Sequence, residues 1–190
     1  PAGMMAAGIC ANNGAEVVLF EKNGMLGKKL RITGKGRCNI TNACGMATFM
    51  ENVTTNGKFL YSVINQFSPK DTINFFKKNG LDVKIERGNR VFPQSDKAID
   101  IVHVMENFVK KSNCKILNER VKNLIIQSGK CCGVETFNSE KIYSDAVIIA
   151  TGGMSYPKTG ATGDGYKIAN RVGHTIVELR PSLVPLESNS

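Results

Sequence analysis

Two short apolar runs constrain this chain most: Ala15-Glu16-Val17-Val18-Leu19-Phe20 and Asp145-Ala146-Val147-Ile148-Ile149-Ala150. Neither alternates polar and apolar residues, so neither suits a sheet with one wet face. Each reads as a strand of a parallel sheet covered on both faces. Before the first run, residues 3–13 are nearly all small or apolar and predict a helix buried against that sheet. Asn13-Gly14 breaks it, and a long loop rich in Gly, Lys and Asn follows at 22–45, longer than a structural connection needs.

Further along, Ser68-Pro69-Lys70-Asp71 is a helix start, with Ser68 as cap, Pro69 at N1 and Asp71 completing a capping box. Gly80 ends that helix, and short strands are expected at 82–86 and 89–93. Ser95 is expected to cap a helix reaching Lys111, with Ile99, Val102, Met105 and Val109 on its apolar stripe. Strands follow at 115–118, 121–128 and 131–138, the last two joined by a tight turn at Ser128-Gly129-Lys130. A helix over 164–172 closes at Gly173, and His174 is expected to open a further strand. The pattern predicts an α/β fold, a Rossmann-like parallel sheet with an inserted antiparallel patch.

The chain has 190 residues, 42% of them hydrophobic, enough for one domain with a core. No apolar run approaches the ~20 residues of a membrane span, so no membrane partner is expected. Six cysteines show neither a secreted disulfide framework nor repeated metal-ligand spacing, which suits a cytoplasmic protein and no metal site. The formal charge of +9 has two readings, attraction to anions such as a pyrophosphate, a nicotinamide cofactor or RNA, or a solvated basic surface. The opening Pro1-Ala2-Gly3 and the absence of a signal peptide read as the interior of a longer product.

Three segments carry chemistry. A dinucleotide fingerprint places G-x-G-x-x-G between a strand and a helix, with an acid at the end of the next strand to bind ribose. Pro1-Ala2-Gly3 supplies only its last three positions; Glu21 ends the next strand, 18 positions after Gly3. An ordinary βα unit would show the same half motif. Ala150-Thr151-Gly152-Gly153 ends the second apolar run, where glycines let backbone approach a ligand. The loop Gly27–Asn42 combines three glycines and five basic residues with amide and hydroxyl donors, as an anion-wrapping loop would.

With a strand ending in FEK before it, LGKKLRITGKGRCNITN resembles the signature of one family of FAD-dependent oxidoreductases. That family includes BaiN-like bile-acid dehydro reductases and aminoacetone-oxidase-like enzymes. RVFPQSDKA (90–98), ATGGMSYPKTGATGDGY (150–166) and RPSLVPL (180–186) match in order and spacing. The resemblance implies a glutathione-reductase-type FAD domain over 1–180 that lacks its first strand, with 181–190 leading into a missing substrate domain. It also implies that Pro1, Ala2 and Gly3 face the FAD pyrophosphate and that Glu21, with Lys22 beside it, grips the adenosine ribose. Gly27, Lys28, Gly36, Arg37, Cys38 and Asn39 would line the cofactor along the loop. Val121 would hold adenine through its backbone, and Ala150, Thr151 and Gly152 would border the cofactor. Asp164 is read equally as ligand-facing or as a helix cap.

Related disulfide reductases carry a C-x4-C pair after the ribose acid; here Cys38 and Cys44 have five residues between them, so no redox disulfide is expected. Cys131-Cys132 reads as structural, and His103 and His174 receive no role. The implied chemistry is hydride transfer from NAD(P)H through FAD to an activated C=C bond of a small molecule. Amine oxidation is the alternative among enzymes, and a flavin-dependent RNA-modifying module the alternative of another class. No RRM-like aromatic signature is present, so nucleic acid is not the expected partner. The chain suggests neither an oligomeric state nor its catalytic residues.

Overall fold

The computed structural model describes residues 1–180; the expected connection at 181–190 lies outside them. The elements run α1 (Ala2–Asn12), β1 (Val18–Phe20), β2 (Thr41–Asn42), α2 (Met46–Glu51), α3 (Gly57–Gln66), α4 (Pro69–Lys78), β3 (Val83–Glu86) and β4 (Arg90–Pro93). Then come α5 (Ala98–Lys111), β5 (Lys115–Leu117), β6 (Val121–Gln127), β7 (Lys130–Thr136), β8 (Lys141–Tyr143) and α6 (Asp164–Arg171). The mixed α/β architecture matches expectation.

β1 pairs in parallel with β5, Val18 opposite Lys115 and Phe20 opposite Leu117. Helix α1 contains no charged residue, which lets it bury Met4, Ala7 and Gly8 and pack on α5. The core joins Met4 of α1, Phe76 of α4, Ala98, Ile101, Met105 and Val109 of α5, and two residues of the long loop, Leu26 and Cys38. The loop is therefore pinned into the core at both ends of its glycine-rich stretch.

The α4 start is as read: Asp71 N–H donates to the Ser68 hydroxyl, and Ser68 N–H donates to the Asp71 carboxylate. Ser95 needs correction. Helix α5 begins at Ala98 after Lys97, and Ser95 instead hydrogen-bonds the Asp100 carboxylate and accepts from Lys97 N–H. The stripe also turns slightly, burying Ile101 where Ile99 was expected, because Ile101 faces the shared core with Ala98 and Met105.

The antiparallel patch is two sheets, ordered β2-β4-β3 and β6-β7-β8. Ser128 and Gly129, both at positive φ (48° and 76°), make the two-residue turn between β6 and β7. In β7, Gly133 sits at φ 144°, and a Cβ there would stand 2.1 Å from the Ile142 carbonyl oxygen of β8.

Two expected strands are absent. Residues 145–150 form no strand, and Ile148 is 63% exposed rather than buried. The run has strand composition, but among the described residues no neighbouring backbone pairs with it. His174 opens no strand; its N–H closes α6 by donating to Ala169 O.

Candidate nucleotide site

The carboxyl end of β1 is where the predicted residues gather. Glu21 continues the parallel pairing, its N–H donating to Leu117 O at 3.0 Å. Its Oε1 accepts from Asn23 twice, from the backbone N–H at 2.8 Å and from the side-chain amide at 2.7 Å. Asn118, between β5 and β6, donates to the carbonyls of Glu21 (2.8 Å) and Asn23. The Glu21 carboxylate is thus held in one orientation, with Oε2 still able to accept.

Gly3 lies beside this strand end. A Cβ at Gly3 would come 3.3 Å from Ala150 Cβ and 3.5 Å from Leu19 Cδ1, so the start of α1, β1 and Ala150 converge. No side chain caps the N-terminus of α1, and no acidic residue sits in its first turn. Its backbone N–H groups and dipole remain available to an anion. Gly152 follows at φ 74° with open space around it.

The segment after Gly152 wraps back onto the Glu21 turn. Gly160, at φ 93°, abuts Asn23 so closely that a Cβ would meet its amide at 2.7 Å. Asp164 then joins three parts of the chain. Lys22 Nζ donates to its Oδ2 at 2.8 Å and to Thr162 Oγ1 at 2.6 Å, and Arg120 donates to both Asp164 oxygens at 2.9 and 3.2 Å. Arg120 also lies over the Phe137 ring, 4.5 Å from its centroid. Burial alone would raise the Asp164 pKa, but hydrogen bonds from Arg120 and Lys22 outweigh it and hold the carboxyl well below the usual range. Asp164 is not the helix cap, because Gly163 occupies that position; its carboxylate is an ion-pair hub.

The other predicted residues divide. Lys22 reaches Asp164, so its ammonium is already engaged beside the site. Val121 opens β6 opposite Thr136, directly after Arg120, which brings it toward the Glu21 turn through the Asp164 hub. Gly27, at φ 67°, packs on Val102 of α5. Lys28 makes no hydrogen bond or ion pair among the described residues, whereas Arg31 pairs with Glu106 at 3.6 Å and leaves its buried Nε without an acceptor. Gly36, at φ 85°, has open space around it. Arg37 turns to Glu86 and Asp96. Cys38 is buried with its thiol pKa raised by burial, which makes it a core residue more than a lining one. Asn39, with its amide nitrogen toward β4, donates to Val91 O and Thr41 O. All six cysteines are free.

Asn23, Asn118 and Arg120 escaped the sequence reading. Only Asn23 carried a signal, two residues past an expected ligand acid, where an Asx side chain can fold back on the chain. Two surface clefts, of about 240 and 530 Å³, lie along β6, β7 and α6 and beside β7 and β8, and no predicted cofactor residue lines either.

The converging groups suit a dinucleotide. Uncapped helix N–H groups answer a pyrophosphate, a fixed carboxylate answers ribose hydroxyls, and glycine backbone leaves room for a flat ring system. A parallel-sheet nucleotide-binding domain is the class this defines. Residues 1–181 match the HI0933-like protein Rossmann domain, and the chain belongs to that family of Rossmann flavoproteins. It is 31% identical over 173 residues to the 3-dehydro-bile acid delta(4,6)-reductase of Clostridium scindens, covering 91% of this chain and 41% of that protein. It is 30% identical over 191 residues to the ribosomal RNA dihydrouridine synthase of Haemophilus influenzae, covering 97% of this chain and 46% of that protein. The Escherichia coli enzyme of the same name is 28% identical over 187 residues, 97% of this chain and 45% of its own length. The chain thus spans less than half the length of these curated relatives.

Proposed function

We propose that this chain is the FAD-binding domain of an oxidoreductase that takes hydride from NAD(P)H and saturates a C=C bond conjugated to a carbonyl. The convergence of Gly3, Glu21 and Ala150 at one strand end carries the cofactor reading. In this reading the α1 N-terminus faces the pyrophosphate, the open Glu21 oxygen accepts from ribose hydroxyls, and Ala150–Gly152 offer backbone to the cofactor's edge. Asn23 and Asn118 hold Glu21 in place so that no rotamer freedom is lost on binding. Bound flavin would supply the hydride transfer.

The relatives' names support the reaction class. A bile-acid Δ4,6-reductase and a dihydrouridine synthase share one chemistry, hydride addition to a C=C bond polarised by a carbonyl. Amine oxidation has no such support. For the acceptor we favour a small enone. RNA uridine is the second reading, favoured by two dihydrouridine synthases among the relatives and by the +9 charge.

Full-length protein should purify yellow and release free FAD on acid or heat. A colourless protein that gains no flavin absorbance on titration with FAD would overturn the reading. Steady-state assays with a conjugated enone and with uridine-containing ribosomal RNA, each with NAD(P)H, separate the two acceptors.

A further inference from the structure

Arg37 of GKGRCN and Asp96 of RVFPQSDKA lie 59 residues apart, and the structure joins them in one ion-pair cluster. Arg37 Nε donates to Asp96 Oδ1 at 2.8 Å, and its Nη2 reaches both Asp96 and Glu86. The guanidinium also lies flat over Phe92, 4.2 Å from the ring centroid. Lys84 takes the other Asp96 oxygen at 2.5 Å and stands 3.7 Å from Glu86. With two cations and two anions the cluster is neutral and offers a pyrophosphate no net attraction. The loop's uncommitted charges are Lys28, Lys29 and Lys35, which make no ion pair among the described residues.

The backbone around Arg37 explains why it needs such a hold. Gly34, Lys35 and Cys38 all have φ between 55° and 59°, and Asp96 itself sits at φ 59°. Left-handed backbone is costly for residues other than glycine and persists only where the surroundings fix it. Arg37 lies inside that run, its N–H bonded to Gly34 O while Cys38 N–H bonds Thr33 O.

We propose that Arg37 and Asp96 form a latch that shapes residues 34–39 for the cofactor, both acting as positioning residues and neither as a cofactor ligand. The proposal rests on the FAD reading above. Arg37 Nε and Nη2 are committed to carboxylates, and pulling them toward a phosphate would leave Glu86 and Asp96 with Lys84 as their one remaining cation beside that anion.

The test uses full-length protein with Arg37→Gln, Asp96→Asn and the double variant, each checked by thermal melting. Arg37→Lys, which keeps the charge but loses the fork, serves if Arg37→Gln does not fold. Two quantities are read: amide exchange of residues 34–39 in flavin-free protein, and the FAD dissociation constant by flavin fluorescence. Each single variant should speed exchange and weaken FAD by about tenfold, and the double variant should be no more than about twofold worse than the weaker single, as coupled residues are. Asp96→Glu should restore part of the protection. Wild-type exchange and affinity in Asp96→Asn, or additive losses in the double variant, would overturn the latch and make Arg37 a direct ligand. If wild-type protein takes up no FAD, the cofactor reading fails while the exchange data still decide the latch.

Discussion

The β6-β7-β8 sheet and the β1-β5 pair are assembled in different ways. In the first, every strand finds its partner within a few residues along the chain, through the turn at Ser128-Gly129 and the connection at Phe137–Glu140. In the second, β1 pairs across 97 residues with β5 and has one neighbour, while 145–150 has none among the described residues. Hairpins close with whatever is nearby, and parallel layers depend on strands brought from afar. The proposed cofactor site sits on the incomplete layer, so its rigidity comes from side chains such as Asn23, Asn118 and Asp164 as much as from the sheet.

The largest effect should come from attacking the complete sheet. Gly133→Val forces a Cβ into the Ile142 carbonyl at a positive φ and should destabilise the protein by roughly 3 kcal/mol or more. Thermal or urea melting measures it, and a wild-type melt would mean that β7 and β8 do not pair as described. On the incomplete layer, Glu21→Ala should leave folding near wild type while weakening FAD binding by roughly 1–3 kcal/mol, through loss of a charge-assisted bond. Flavin titration of the full-length protein reads this directly.

Acid should act more gently. Hydrogen bonds from Arg37 to Glu86, and from Lys84 and Arg37 to Asp96, lower both carboxyl pKa values on folding. Groups with depressed folded-state pKa values stabilise above their unfolded values and lose that contribution as pH falls through the folded ones. Protection of residues 34–39 should therefore hold at neutral pH and decline only below about pH 4, as amide exchange followed against pH would show. Smallest of all, Cys44→Ser should leave flavin reduction and turnover within a few-fold of wild type, since Cys38 is buried and both thiols are free. Abolished turnover with a lost charge-transfer band would restore the disulfide reading.

Elements with local instructions were legible in the sequence. The Ser68 box, the Ser128-Gly129 turn and the α5 stripe each depend on residues within a few positions of one another. Among elements that depend on a distant partner, β1 and β5 were legible as strands and 145–150 was not. Residues 145–150 carry a strand's composition, but pairing belongs to a neighbour. Helices α2 and α3 went unread because neither has a side-chain cap, Asn56 entering α3 at φ 56°, and neither buries a residue. At the site, Glu21 was readable from its place after an apolar run. Its supports were not, since Asn118 and Asp164 act across 97 and 142 residues. Nor does anything local to Arg37 reveal its pairing with Glu86 and Asp96.

The hub at Asp164 also sets a clock. Lys22 and its partner are separated by 142 residues, and a ribosome adding ~5–20 residues per second needs roughly 7–30 s to cover that distance. Through that interval Lys22 and then Arg120 emerge without the carboxylate that will join them. The Glu21 turn lacks the Gly160 segment that packs on Asn23. A nucleotide arriving early would meet a half-built cradle, so in the proposed reading the cofactor would load on the nascent chain only after residue 164 has emerged.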